Sequence, residues 1–169
     1  MISKICNFLS TLILLVVIVV AGALVLPKVV GITPMGVLSG SMEPFYHVGS
    51  IVYVNTKVTA DQIAEGDAIT FTVGDDTVVT HRVVAIDQAA QTFTTKGDAN
   101  ETKDFAPVPF STLVGRAGLS IPLLGTLVGF FATGKGIAVL CAIAVLLIVL
   151  FTIPALLKPD DTKNKKETH

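Results

Sequence analysis

Three polar segments of the chain carry the residue types that acyl chemistry uses: Ser39-Gly40-Ser41-Met42-Glu43-Pro44, Thr80-His81-Arg82, and the run from Lys96 to Asp104 that holds Asp98 and Asp104. Nucleophilic acyl transfer needs a hydroxyl to attack, a base near neutrality to take its proton, and a carboxylate to orient that base and stabilise its charge. Gly40 and Pro44 permit and then fix a tight backbone path that could expose the Ser41 hydroxyl. An imidazole with an unperturbed pKa near about 6.5 accepts a proton at neutral pH, which gives His81 its candidacy. Chain order does not exclude the trio, because unrelated folds arrange it differently. Residue type alone leaves plainer readings open. Ser41 could sit in an ordinary turn, His81 could be an edge or core residue among Val78, Val79, Val83 and Val84, and Gly97, Asp98 and Asn100 are good turn formers.

Other chemistries find less support. His81 with Asp98 and Asp104 could ligate a metal by type, but catalytic zinc usually takes three protein ligands, structural zinc four, and no second histidine is suitably placed. No metal and no cofactor is therefore expected. His47 and His169 lack a polar context and read as loop and tail residues. Lys57, Lys96 or Lys103 could replace the histidine as base. Asp61, Glu65, Asp67, Asp75, Asp76 and Asp87 are scattered at turns, where solvation explains them, and Arg82 is placed to hold an acidic neighbour.

These segments need a frame, and the pattern around them is short and alternating. Ile51–Val54 reads as a strand, 67–73 and 77–86 as a hairpin about Gly74-Asp75-Asp76, Thr92–Thr95 as a further strand, and Thr112–Arg116 as one that could close the sheet. Thr59–Glu65 suggests a helical turn before Gly66. The fold class expected is mainly β, a small all-β domain between two transmembrane α-helices.

The helices follow from the composition. Of 169 residues 51% are hydrophobic and only 15% charged, with a mean hydropathy of +0.74, outside the range of ordinary soluble domains. Lys4 and Lys28 bracket one charge-free stretch and Lys135 and Lys158 another, each a little over the roughly 20 residues a bilayer requires. The expected organisation is a cytoplasmic start (1–4), a first span (5–27), an extracytoplasmic domain (28–135), a second span (136–157) and a disordered cytoplasmic tail (158–169). A cleaved leader ending near Ala21-Gly22-Ala23 is the alternative for the first span, but the apolar run continues through Leu24-Val25-Leu26. Lys158, Lys163, Lys165 and Lys166 outweigh Asp160, Asp161 and Glu167, so the positive-inside bias puts both termini in the cytoplasm. Pro154 lies near the end of the second span, where it costs least.

Leu119–Phe131 is too interrupted to span and is expected at the membrane interface or over the core. Cys6 and Cys141 fall at opposite depths of the bilayer, too far apart for the alpha-carbon separation of about 4.4–6.8 Å that a disulfide tolerates. The outer domain has no cysteine, hence no thiol nucleophile. A net charge of -1 provides no basic surplus for a nucleic-acid partner.

Ser39-Gly40-Ser41-Met42-Glu43-Pro44, followed by Gly49 and the strand 51–54, resembles the nucleophile box of type I signal peptidases. Thr80-His81-Arg82-Val83-Val84 resembles their general-base box, and Lys96-Gly97-Asp98-Ala99-Asn100 with Asp104 their acidic box. Most bacterial members have lysine at the position of His81. The resemblance is therefore to the branch of archaea, the endoplasmic reticulum and some spore formers, regarded as using histidine. It implies a membrane-bound serine endopeptidase with Ser41 as nucleophile, His81 as base, and Asp104 in preference to Asp98 as the imidazole's partner. It also implies an oxyanion held by the Ser39 hydroxyl and the Ser41 backbone N–H.

Substrates would be preproteins bearing signal peptides, with small residues at the first and third positions before the cut. Partners would be the lipid bilayer and accessory subunits or the translocon. One departure is Ser50, where the family usually has aspartate after the glycine. The rival reading is an inactive, membrane-tethered β-domain that acts in binding or assembly.

Overall fold

The computed structural model describes residues 2–74 and 77–156. Asp75, Asp76 and the expected tail, with His169 and its lysines, lie outside the described residues. The chain divides into two units, one formed by the described residues of Met1–Gly22 and Phe131–His169, the other by Ala23–Phe130.

The first unit is helical. Helix α1 runs Ile2–Val29 and helix α3 Gly134–Leu156, and both are long and apolar enough to cross a membrane. Their side chains are apolar around the whole circumference, and Phe8, Val19, Val145 and Ile148 stand exposed, as suits a helix whose solvent is lipid. Cys6 and Cys141 are free thiols on these helices. Pro27 falls in the last turn of α1, where it removes the helical donor to the Ala23 carbonyl, and the Tyr53 hydroxyl donates to that carbonyl at 2.9 Å instead. The helix stops at Gly31, whose φ of +83° lets the Gly31 N–H reach the Lys28 carbonyl at 3.1 Å.

The second unit is a seven-stranded antiparallel sheet of order β1-β2-β7-β3-β4-β5-β6. Its strands are β1 (Ile32–Gly36), β2 (Ile51–Asn55), β3 (Ala68–Val73), β4 (Thr77–Asp87), β5 (Thr92–Lys96), β6 (Val108–Pro109) and β7 (Leu113–Ile121). The β-branched hairpin forms as its alternation requires, with Ile69 opposite His81 and Ala68 opposite Arg82.

Besides β6, which was not expected, three segments differ from the sequence expectation. Strand β1 has no counterpart in it, because Pro34 and Gly36 argue against a strand; β1 is an edge of the sheet, where a proline's missing donor is tolerated. Strand β7 does not close the sheet. It extends past the expected Arg116 to Ile121 and lies centrally, between β2 and β3. Gly115 is what admits it there, since a Cβ at that position would stand 2.2 Å from the Asn55 carbonyl oxygen. The apolar run 119–131 is divided between the end of β7 and helix α2 (Leu124–Phe131), with a break at Leu123, φ +61°. The expected helical turn after Thr59 is a single 3-10 turn, Ala60–Gln62, closed by the Gln62 side chain on the Thr59 N–H.

Two apolar clusters hold the sheet. One comprises Met42, Tyr46, Val52, Val54, Ala68 and Ala117; the other Ile63, Ile69, Phe71, Val83, Phe93 and Val108. Met42 and Tyr46 belong to the segment carrying Ser41, so the loop is anchored by two side chains that are only 3% and 2% exposed. Burial of each stabilises by about 1.5–3 kcal/mol and fixes the path of the residues between and before them.

Candidate active site

Ser41 lies on the irregular segment between β1 and β2. The Glu43 N–H donates to the Gly40 carbonyl at 3.0 Å and the Tyr46 N–H to that of Met42 at 2.9 Å, winding residues 40–46 into tight turns around a cis Glu43–Pro44 peptide. The Tyr46 hydroxyl ties the turn to the sheet by donating to the Gly118 carbonyl at 2.8 Å, and burial pushes that phenol above its ordinary value. Glu43 braces the far end: its carboxylate accepts from the Val48 N–H at 3.1 Å and meets His47 Nδ1 at 2.6 Å. The Val48 bond, opposed by some desolvation and aided by His47, holds Glu43 below the usual carboxylate value.

His81 and Asp104 meet. Strand β4 carries the imidazole, and the loop after β5 returns Asp104 to it by a bond from the Asp104 N–H to the Thr95 carbonyl at 2.8 Å. His81 Nδ1 then lies 2.6 Å from Asp104 Oδ2, and the hydroxyl of fully buried Thr95 donates to the same oxygen at 2.6 Å. With Nδ1 occupied by the carboxylate, Nε2 is the imidazole nitrogen that can exchange a proton elsewhere. The ring edge approaches Phe71, 6.4 Å between centroids, which gives it an apolar backing.

Asp98 does something else. Arg82 Nε donates to its Oδ1 at 2.7 Å and Nη2 to its Oδ2 at 2.5 Å, a bidentate pair that raises the guanidinium's pKa, while Nη1 donates to the Gly66 carbonyl at 2.8 Å. The same guanidinium sits 4.9 Å over the Phe45 ring. Arg82 thus ties the acidic loop, the nucleophile segment and β4 together. A second tie is made of backbone: the Ala99 N–H donates to the Ser41 carbonyl at 2.9 Å. Gly97 is required for it, since a Cβ there would stand 2.6 Å from that carbonyl oxygen and 2.8 Å from Asn100 Nδ2.

Ser39 and Ser41 line a cavity of about 670 Å³ with Met35, Met42, Tyr46 and Thr80; His81 and Asp104 line a neighbouring one. Val79 forms a wall of both. Among the described residues neither serine hydroxyl has a hydrogen-bond partner, and no bond joins Ser41 to His81. The arrangement therefore holds a carboxylate–imidazole pair assembled on one cavity and the Ser41 hydroxyl on the next, and in unliganded sites catalytic hydrogen bonds often tighten only with substrate.

Asp98 and Asp104 serve different partners, and no group of three metal-ligating His, Cys, Asp or Glu side chains gathers among the described residues. Lys57 packs its stem against Gly31 at the end of α1. Ser50 is fully buried and its hydroxyl meets no hydrogen-bond partner among the described residues. Sequence reasoning missed Thr95, since a threonine in a strand gives no signal of what it faces; it gave Arg82 an acidic neighbour, which is Asp98, but not the contact with Phe45.

No protein-family model matches the chain. It is 44% identical over 84 residues, 48% of its own length and 44% of the relative's, to signal peptidase I W of Bacillus subtilis. It is 42% identical over 72 residues, 40% of this chain and 37% of the relative, to the human signal peptidase complex catalytic subunit SEC11C, and to the same degree to the mouse protein. The chain thus spans less than half the length of the curated relatives it matches. Within those stretches it is similar to signal peptidases from a bacterium and from mammals alike, which places the resemblance in the Ser/His branch of the type I signal peptidases.

Proposed function

We propose that the protein is a membrane-bound serine endopeptidase that removes signal peptides from exported preproteins by way of an acyl-enzyme. The observation that carries the reading is the His81–Asp104 pair, assembled beside a cavity lined by a free Ser41 hydroxyl.

Ser41 Oγ attacks the scissile carbonyl carbon while its proton passes to His81 Nε2, and Asp104 stabilises the imidazolium through Nδ1. The Ser39 hydroxyl and the Ser41 N–H receive the oxyanion; losing one such donor typically costs about 10²- to 10³-fold in turnover. The carbon–nitrogen bond breaks, and the departing amine takes the proton from Nε2. Water then gives a proton to His81 as its oxygen attacks the ester carbonyl, and the proton returns to Ser41 as the ester bond breaks.

Helices α1 and α3 cross the bilayer with both termini cytoplasmic, so that residues 28–135 work at the outer face. The leader's apolar segment stays in lipid while its extended end pairs with a strand edge. Preproteins with small residues at the first and third positions before the cut are the substrates. Accessory subunits or the translocon are further partners, a reading favoured by the description of SEC11C as a subunit of a complex.

The test is cleavage of a preprotein by the purified full-length chain in lipid. Loss of cleavage in Ser41→Ala and His81→Ala, with circular dichroism unchanged, is expected. A wild type that cuts nothing while binding a secreted or membrane component would favour the rival binding domain.

A further inference from the structure

Two cavities meet at β4, and the one that holds Ser41 is not the one that holds the imidazole. The second, about 450 Å³, is walled by Phe71, Val79, Ala106 and Val108, with His81 and Asp104 at its polar margin. Its size and mostly apolar lining are those of a side-chain or ligand pocket, within the roughly 300–1,000 Å³ such pockets occupy.

We propose that this cavity is the subsite for the leaving side of the substrate, and that it receives an apolar side chain from the first residues of the polypeptide released by cleavage. The inference rests on the serine-peptidase reading above and specifies which part of the substrate that site selects. Its basis is the path of one proton. Asp104 occupies Nδ1, so Nε2 both takes the proton from Ser41 and gives it to the departing amine. That amine nitrogen must therefore lie between the hydroxyl and the imidazole. The chain attached to the nitrogen continues past the imidazole, and the space beyond Ser41 that the imidazole borders is this apolar cavity. The residues before the cut, on the carbonyl side, are left to the cavity lined by Ser39, Ser41, Met42 and Thr80. Val79, shared by the two, marks where the cleaved bond crosses from one to the other.

Ala106 is the residue to change, because it is exposed at the cavity and a larger side chain there fills space without opening the core. The experiment uses the full-length chain in lipid–detergent micelles and a set of preproteins that differ only in the first residue after the cut. Leucine there is expected to exceed aspartate about tenfold or more in kcat/KM, the scale on which an apolar pocket discriminates. Ala106→Trp is expected to erase that preference, and Ala106→Leu to reduce it.

Both variants should keep the wild-type ranking for changes before the cut. A leader peptide ending in a nitrophenyl ester, which has no residue beyond the scissile carbonyl, reports acylation of the wild type independently of the residue after the cut. A flat ranking in the wild type, a ranking unchanged in Ala106→Trp, or a variant that alters the preference before the cut would overturn the assignment. If the wild type hydrolyses neither preprotein nor ester above the Ser41→Ala blank, the peptidase reading itself fails and takes the subsite with it; cleavage with the wrong ranking would sink the subsite alone.

Discussion

At the scale of single residues the site divides its two aspartates by partner, and the division predicts different losses. Asp104 meets His81 Nδ1 and Asp98 meets Arg82, so Asp104→Asn should lower kcat by on the order of 10³- to 10⁴-fold with the fold intact. Asp98→Asn should instead cost about 1–3 kcal/mol of stability, read by chemical denaturation, with the smaller effect on turnover. Equal turnover in Asp104→Asn and wild type would remove Asp104 from the mechanism.

Glu43 gives a pH test. Its folded pKa is depressed below the ordinary 4.5, chiefly by the Val48 N–H, so the stability it contributes is fully present above about pH 4.5 and is lost as pH falls through the depressed value. Glu43→Gln should therefore lower the melt at neutral pH, with the difference from wild type shrinking as pH falls below about 4.5, so that the acid limb of the series is flatter; an unchanged acid limb would refute the brace. What could be read from the sequence at this scale was residue type and phrase: Ser41, His81 and two acids in one box. Which acid meets the imidazole could not, because Asp98 and Asp104 are only six residues apart in one loop, and the choice depends on where Arg82 and Thr95 come to lie.

At the scale of elements, strands with unbroken alternation were legible and those with interruptions were not. The hairpin of β3 and β4 is dense in Val, Thr and Ile, and it forms within a residue of its expected bounds. Strand β1 was hidden by Pro34, which an edge tolerates, and the length of β7 by the glycines Gly115 and Gly118, of which Gly115 is required by the close approach of the Asn55 carbonyl. Positions of that kind depend on neighbours distant in sequence, so no local pattern reveals them. The contact between the nucleophile segment and the acidic loop is another. Gly97→Ala forces a methyl group against the Ser41 carbonyl and should cost about 1–3 kcal/mol, while lowering turnover more than that loss of stability explains. A Gly97→Ala protein with normal kcat would show that the loop contact does not set the geometry of Ser41.

At the scale of the whole molecule, charge-free length and composition made the two apolar helices legible, since among the described residues α1 and α3 are the helices long and apolar enough to match a bilayer's thickness. Orientation rests on the lysine-rich end of the sequence and is open to direct measurement. In a Cys6→Ser, Cys141→Ser background, a cysteine placed at exposed Glu101 should react with a membrane-impermeant maleimide added to intact cells. Labelling only after the membrane is opened would invert the proposed topology and put the site on the wrong side for exported preproteins.

A serine-peptidase mechanism requires that Ser41 become covalently acylated, and the most direct measurement is mass spectrometry of the full-length chain, acid-quenched during turnover of the leader-peptide nitrophenyl ester. An adduct equal in mass to the leader's acyl portion is expected on the peptide that contains Ser41, and is expected to be lost in Ser41→Ala. Turnover of the same ester at the wild-type rate by Ser41→Ala, or an adduct on any other residue, would contradict that mechanism.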